Sequence, residues 1–146
     1  IKMRTQRRQS GFTLIEVMIV IAIMGLMIAA IAPDLFKNVE KAEKTRVASD
    51  IRQIESALKF YRLDNYSYPT QSQGLDVLVS APSGGASGKW NGPYLEQLPK
   101  DPWQNPYRYA NPGTHGKKIE VFTFGFGNVA GGDGSESDWG NWNIND

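Results

Sequence analysis

The chain contains no cysteine. No disulfide can staple it, so a small exported domain built from it needs another clamp, and a metal ion is the usual substitute. It has one histidine, His115, and no nucleophile elbow. Nucleophile–base constellations therefore lack their parts, and catalysis by the chain itself is not expected. Charge of one sign is missing at each end. The first ten residues hold Lys2, Arg4, Arg7 and Arg8 and no acid, while no Lys or Arg follows Lys118. Setting the four head cations aside leaves 12 Lys and Arg against 15 Asp and Glu. The basic head is thus a separate segment, and the rest shows no basic patch of the kind a nucleic-acid partner needs. The sharpest shortage lies in residues 11–33, GFTLIEVMIVIAIMGLMIAAIAP, which hold a single ionisable group, Glu16.

A basic head before an apolar run has the outline of a signal peptide, but the details differ. An ordinary apolar region spans about 7–15 residues and ends at an A-x-A site. Here residues 12–32 make an apolar run of about 21 residues, enough to cross a bilayer as a helix. No A-x-A site follows before a new pattern begins. The basic cluster holds the N-terminal end in the cytoplasm by the positive-inside rule. A carboxylate in such a span costs on the order of 3 kcal/mol on insertion scales, which points to a partner. Snorkelling to the interface is the plainer reading, since Glu16 lies about a turn from a helix end. A cut between Gly11 and Phe12 would place a new amine four residues before Glu16. Amine and carboxylate attract strongly in low dielectric. Between chains, that pair would fix an axial offset.

After Pro33 the sequence is rich in helix formers, with no Gly or Pro up to Leu63. Val47, Ile51, Ile54, Leu58 and Tyr61 recur at helical spacing, opposite Lys44, Arg52, Glu55, Lys59 and Arg62. One long helix is expected from about residue 13 to about residue 62, with Pro33 as a candidate kink. Downstream, residues 73–79 form a short helical candidate capped by Ser72 or Thr70. Gly-rich residues 83–93 read as a surface loop. Prolines lead irregularly into a short strand at 107–110. Residues 118–126, KIEVFTFGF, predict a strand buried on both faces. A polar Gly-rich loop follows, and Trp142–Ile144 is expected to close as a last strand. The fold class is α+β: a long helix, half apolar and half amphipathic, whose second half packs on a small antiparallel sheet.

The stretch RRQSGFTLIEVMIVIAIMGLMIAAIAP resembles the leader and first helix of type IV pilins and type II secretion pseudopilins. The resemblance implies a pilin-like fold. It also implies cleavage by prepilin peptidase between Gly11 and Phe12, N-methylation of Phe12, and pairing of Glu16 with a neighbour's N-terminus during assembly. Its helix-breaking proline matches Pro33. The segments YPTQSQGLDVL and LPKDPWQNPYRY further resemble the major pseudopilins of type II secretion systems. The implied layout is a leader at 1–11, a transmembrane half at 12–33 and a periplasmic domain at 34–146 with a C-terminal loop at 127–142. The implied location is the bacterial inner membrane, single-pass. The implied partners are further copies in a homopolymer, prepilin peptidase, minor pseudopilins, the inner-membrane secretion machinery, and lipid before assembly. The implied function is to form the periplasmic pseudopilus whose growth drives folded proteins across the outer membrane. The alternatives are a type IV pilin for adhesion, motility or DNA uptake, and a membrane-anchored monomeric binding module.

That family's last loop implies one bound Ca²⁺, which would supply the missing clamp. Calcium takes six to eight oxygen ligands. Asp133, Ser135, Glu136, Ser137 and Asp138 crowd oxygens into six residues, though not in the EF-hand pattern. One family aspartate maps onto Asp138. The other falls near Gly127–Asn128, where no carboxylate stands, so Asn128 or Asp133 would supply that oxygen. Without the resemblance this is an ordinary solvated acidic loop. Gly125, Gly127 and Ala130 loosely follow G-x-G-x-x-A, but Gly-Gly-Asp-Gly follows where a dinucleotide fingerprint needs a helix. His115 reads as a solvated turn residue. The four tryptophans read as packing for irregular loops.

Overall fold

The computed structural model describes residues 9–83 and 89–145. Helix α1 spans Leu14–Asn65 and includes Pro33. Strands β1 (Arg108–Ala110), β2 (Glu120–Thr123) and β3 (Trp139–Gly140) form one sheet in the order β1-β2-β3. Both pairings are antiparallel, with Tyr109 opposite Val121 and Thr123 opposite Trp139. Contacts divide the chain into two units, Ile1–Asn38 and Val39–Asp146.

In the first unit the large apolar side chains from Phe12 to Ile31 are 45–91% exposed. The helix is long and apolar enough to cross a membrane, and none of its most apolar window is buried. This matches a span whose solvent is lipid, because a soluble domain would cover such a face.

The second unit is built on the amphipathic half of α1. Its stripe is buried as its spacing requires: Val47, Ile51, Ile54, Leu58 and Tyr61, joined by Ala48 and Ala57. These residues pack in one core with Leu78, Tyr107, Tyr109, Val121, Trp139 and Ile144, among others. Truncating a fully buried leucine such as Leu58 would cost about 2–5 kcal/mol. Tyr107 ties the region before the sheet to the helix, its hydroxyl donating to Asp50 Oδ2 at 2.7 Å. Burial, reinforced by that carboxylate, pushes the phenol well above its usual range.

The proline-rich segment before β1 is organised by Asp101, which is fully buried. Its carboxylate accepts from Trp103 N–H (3.0 Å), Asn105 N–H (2.8 Å) and the Thr123 hydroxyl (2.7 Å). A buried carboxylate needs such partners, and here three donors supply them.

Several elements differ from the sequence expectation. Residues 73–79 form turns and a single 3₁₀ turn at Asp76–Leu78. Thr70 does cap the segment's start, its hydroxyl accepting from Gln73 N–H while Gln73 Oε1 accepts from Thr70 N–H. The strand expected over 118–126 is only Glu120–Thr123. Gly125 then takes φ +76°, which turns the chain out of the ladder. The last strand is Trp139–Gly140, and residues 142–144 form a turn instead. Asn143 Oδ1 accepts from Gly140 N–H at 2.9 Å and closes that turn. Trp142 lies against Gly140 so closely that a Cβ there would meet its ring at 2.1 Å.

His115 is not simply solvated. Its ring stacks on Trp142 at 3.9 Å and 5°, and its Nδ1 lies 3.0 Å from Glu120 Oε2. Glu120, 1% exposed, also accepts from the amides of Thr114 (2.7 Å) and His115. Burial alone would raise the Glu120 carboxyl. The His115 ring and the amides of His115 and Thr114 outweigh it and hold the carboxyl below its ordinary value.

Candidate functional site

Site residues suggested by the sequence fall at two places, one in each unit. The first is the start of α1. Thr13 and Glu16 form a reciprocal capping box there. Thr13 N–H donates to Glu16 Oε2 at 3.2 Å, and Glu16 N–H donates to Thr13 Oγ1 at 3.3 Å. Val17 N–H donates to the Thr13 carbonyl at 3.3 Å, opening the helical ladder. Thr13 is the residue that sequence reasoning missed here. Its signal, Thr-x-x-Glu directly before an apolar run, stands in the sequence. Phe12 precedes it at 91% exposure, and nothing lies within 4 Å of the position a Cβ would take on Gly11. The Gly11–Phe12 bond thus lies just outside the helix, in chain without secondary structure. The basic head, Lys2, Arg4, Arg7 and Arg8, lies outside the described residues.

The second place is the loop between β2 and β3. Its backbone folds back on itself, and Phe126 N–H donates to the Ser135 carbonyl at 2.8 Å. Two glycines permit this approach. A Cβ on Gly125 would meet Ser135 O at 2.5 Å, and one on Gly132 would meet Glu136 O at 2.5 Å. No helix of dinucleotide-binding type follows, only a 3₁₀ turn at Gly134–Glu136.

The four oxygen donors are not gathered by hydrogen bonds to one another. Both Asp138 carboxylate oxygens lie 3.0 Å from Gly131 N, which bridges the loop. Asp133 is exposed and does not cap the 3₁₀ turn with its side chain. Asn128 Oδ1 accepts from Arg108 Nη2 at 3.3 Å. The Ser135 hydroxyl donates to Glu43 Oε2 of α1 at 2.6 Å. Among the described residues no three His, Cys, Asp or Glu side chains cluster as a metal site. The donor chemistry still suits a hard cation, because Asp133 and Asp138 keep carboxylate lone pairs open. Further ligands would come from main-chain carbonyls and water, with Asn128 and Ser135 joining only by exchanging their present partners. Glu43 is a neighbour of this loop that sequence reasoning missed, since nothing local links positions 92 apart.

An exposed apolar run with its single acid in the first turn of the helix, leading into a helix-and-antiparallel-sheet unit, defines a pilin-like subunit. The prokaryotic N-terminal methylation motif matches residues 6–32. The family described as type II secretion system protein G matches residues 34–142, and the chain belongs to that family. It is 46% identical to the type II secretion system core protein G of Vibrio cholerae serotype O1, across 99% of both chains. It is 47% identical to the core protein G of Aeromonas hydrophila, across 97% of both. The crystal structure of the major pseudopilin from the type 2 secretion system of enterohaemorrhagic Escherichia coli superposes with a TM-score of 0.65 at 40% identity. It covers 75% of this chain and 95% of that one. These relatives favour the secretion pseudopilin over a type IV pilin. They also place the chain in a family of structural subunits, not of enzymes.

Proposed function

We propose that this chain is the major subunit of a type II secretion pseudopilus, anchored by one helix in the inner membrane with residues 34–146 in the periplasm. Prepilin peptidase cuts between Gly11 and Phe12 and methylates the new terminus. Copies then leave the lipid and polymerise, and filament growth pushes folded proteins outward with the aid of minor pseudopilins and the inner-membrane machinery. The chain itself carries no catalysis. The observation that carries this reading is the methylation motif over residues 6–32, which takes in an uncovered apolar run whose one acid, Glu16, stands in the first turn of α1. The processed amine of a neighbouring copy is the partner for Glu16. The loop at 127–142 takes one Ca²⁺, with Asp138 and Asp133 as carboxylate ligands and Asn128 and Ser135 as candidate oxygen donors. A bound calcium ion would clamp the loop in place of a disulfide. Chemical cross-linking of the full chain in its native membrane tests the assembly step. A ladder of multimers is expected, and a lone monomer band at every concentration would overturn it.

A further inference from the structure

We propose that the apolar tip of the β2–β3 loop of one copy seats at the far end of α1 of the next copy. This inference rests on the filament reading and adds a contact surface to it. Among the described residues of the second unit, the large apolar side chains more than 60% exposed fall in two groups, with Val39 less exposed at 47%. Phe126 and Val129 are 65% and 70% exposed on the loop, while Phe60, Leu63 and Tyr66 are 61%, 71% and 78% exposed near the end of α1. Exposed apolar side chains that group on one surface, unlike ones scattered singly, point to an interaction site.

The loop tip is held rather than free. The Phe126–Ser135 backbone bond fixes its base. Arg108 braces it, with its guanidinium 4.3 Å from the Phe124 ring centroid and its Nη2 on Asn128. Ser135 anchors the same loop to Glu43, and Glu40 lies 3.5 Å from where a Gly134 Cβ would stand. Acids therefore outnumber cations around the loop: Glu40, Glu43, Asp133 and Glu136 against Arg108.

The other end carries the opposite charge in excess, with Lys59, Arg62 and Lys89 against Asp64. Lys59, Arg62, Leu63, Tyr66 and Tyr68 line an open groove of about 610 Å³. Arg62 lies over the Tyr68 ring, and Lys89 Nζ stands 5.0 Å from the centroid of Tyr66. Between Glu43 and Leu63, α1 rises roughly 30 Å at about 1.5 Å per residue. The two surfaces are too far apart to meet within one copy. They are apolar at the centre and opposite in charge at the edge, so they complement each other between copies. Such a contact joins unlike surfaces, and repeated without closure it builds a filament.

The absence of native cysteine makes the test clean. Full-length chains carrying Phe126→Cys are co-expressed with chains carrying Leu63→Cys, both at exposed positions outside the core, and membranes are oxidised with copper phenanthroline. The expected result is a mixed disulfide dimer at least tenfold above that from either chain alone, and a ladder when one chain carries both substitutions. Normal sedimenting polymer without the mixed dimer overturns this contact and leaves the filament reading standing. Capture of the position-126 thiol by a different protein overturns a second copy as the occupant. A wild-type chain that never sediments as polymer overturns both readings.

Discussion

Replacing Glu16 with glutamine separates its capping role from the charge pairing proposed for it. Within a single copy, Glu16 caps α1 through reciprocal bonds with Thr13 of 3.2 and 3.3 Å. A capping box accepts Glu or Gln at this position, so Glu16→Gln keeps the cap. Glu16→Ala removes it, at a cost of about 0.5–1 kcal/mol for long, exposed bonds. Pairing with a neighbour's amine instead requires the negative charge. Two unit charges about 4 Å apart at an effective dielectric near 20 attract by about 4 kcal/mol, roughly a thousandfold in association. Charge therefore outweighs capping. Both variants are expected to be inserted and cleaved, with mass spectrometry showing a terminus at Phe12, and both are expected to lose sedimentable polymer almost completely. If Glu16→Gln polymerises like wild type while Glu16→Ala does not, the cap is what assembly needs and the charge-pairing argument is wrong.

Two further outcomes follow from the folded unit. If Asp133 and Asp138 hold calcium, free ion at a hundred times its Kd stabilises the fold by about 2.7 kcal/mol. EGTA should then lower the Tm of the full chain in detergent by several degrees, and Asp138→Asn should abolish that response. A Tm indifferent to EGTA would remove the metal. Glu120 makes the fold acid-sensitive. Its folded carboxyl titrates below the ordinary value of 4.5, so the stability it contributes is present above that pH and is lost as pH falls towards its depressed folded value. Glu120→Gln should flatten the dependence of Tm on pH below 4.5; an unchanged slope would show that another carboxylate governs it.

The long-range plan of this fold was legible because periodicity reports it directly. The stripe Val47–Tyr61 could bury in only one way as a helix, and all five of its large residues are buried. The apolar run from Phe12 named its own solvent in the same way. What the sequence concealed were interactions joining distant positions. Glu120 lies in a run that reads as a strand buried on both faces, and nothing local shows that Thr114 and His115 fold over it to partner its carboxylate. Asp101 lies in the irregular proline-rich segment, and only the fold brings Thr123 of β2 to it. The run 118–126 suggests one long strand, because β-branched and aromatic residues do not reveal that Gly125 must turn back to reach Ser135. At the loop, composition supplied the oxygens but not their present partners. Arg108 and Glu43 come from β1 and α1 and hold two of the four.

The placement of the buried stripe has a consequence for how this chain can change over generations. Among the described residues, everything α1 gives to the interior lies between Val47 and Tyr61. Substitutions in the apolar run of the helix, residues 14–32, leave the interior intact. That stretch is free to drift under the demands of bilayer passage and neighbour fit alone, so variants there can alter how copies stack while each copy still folds.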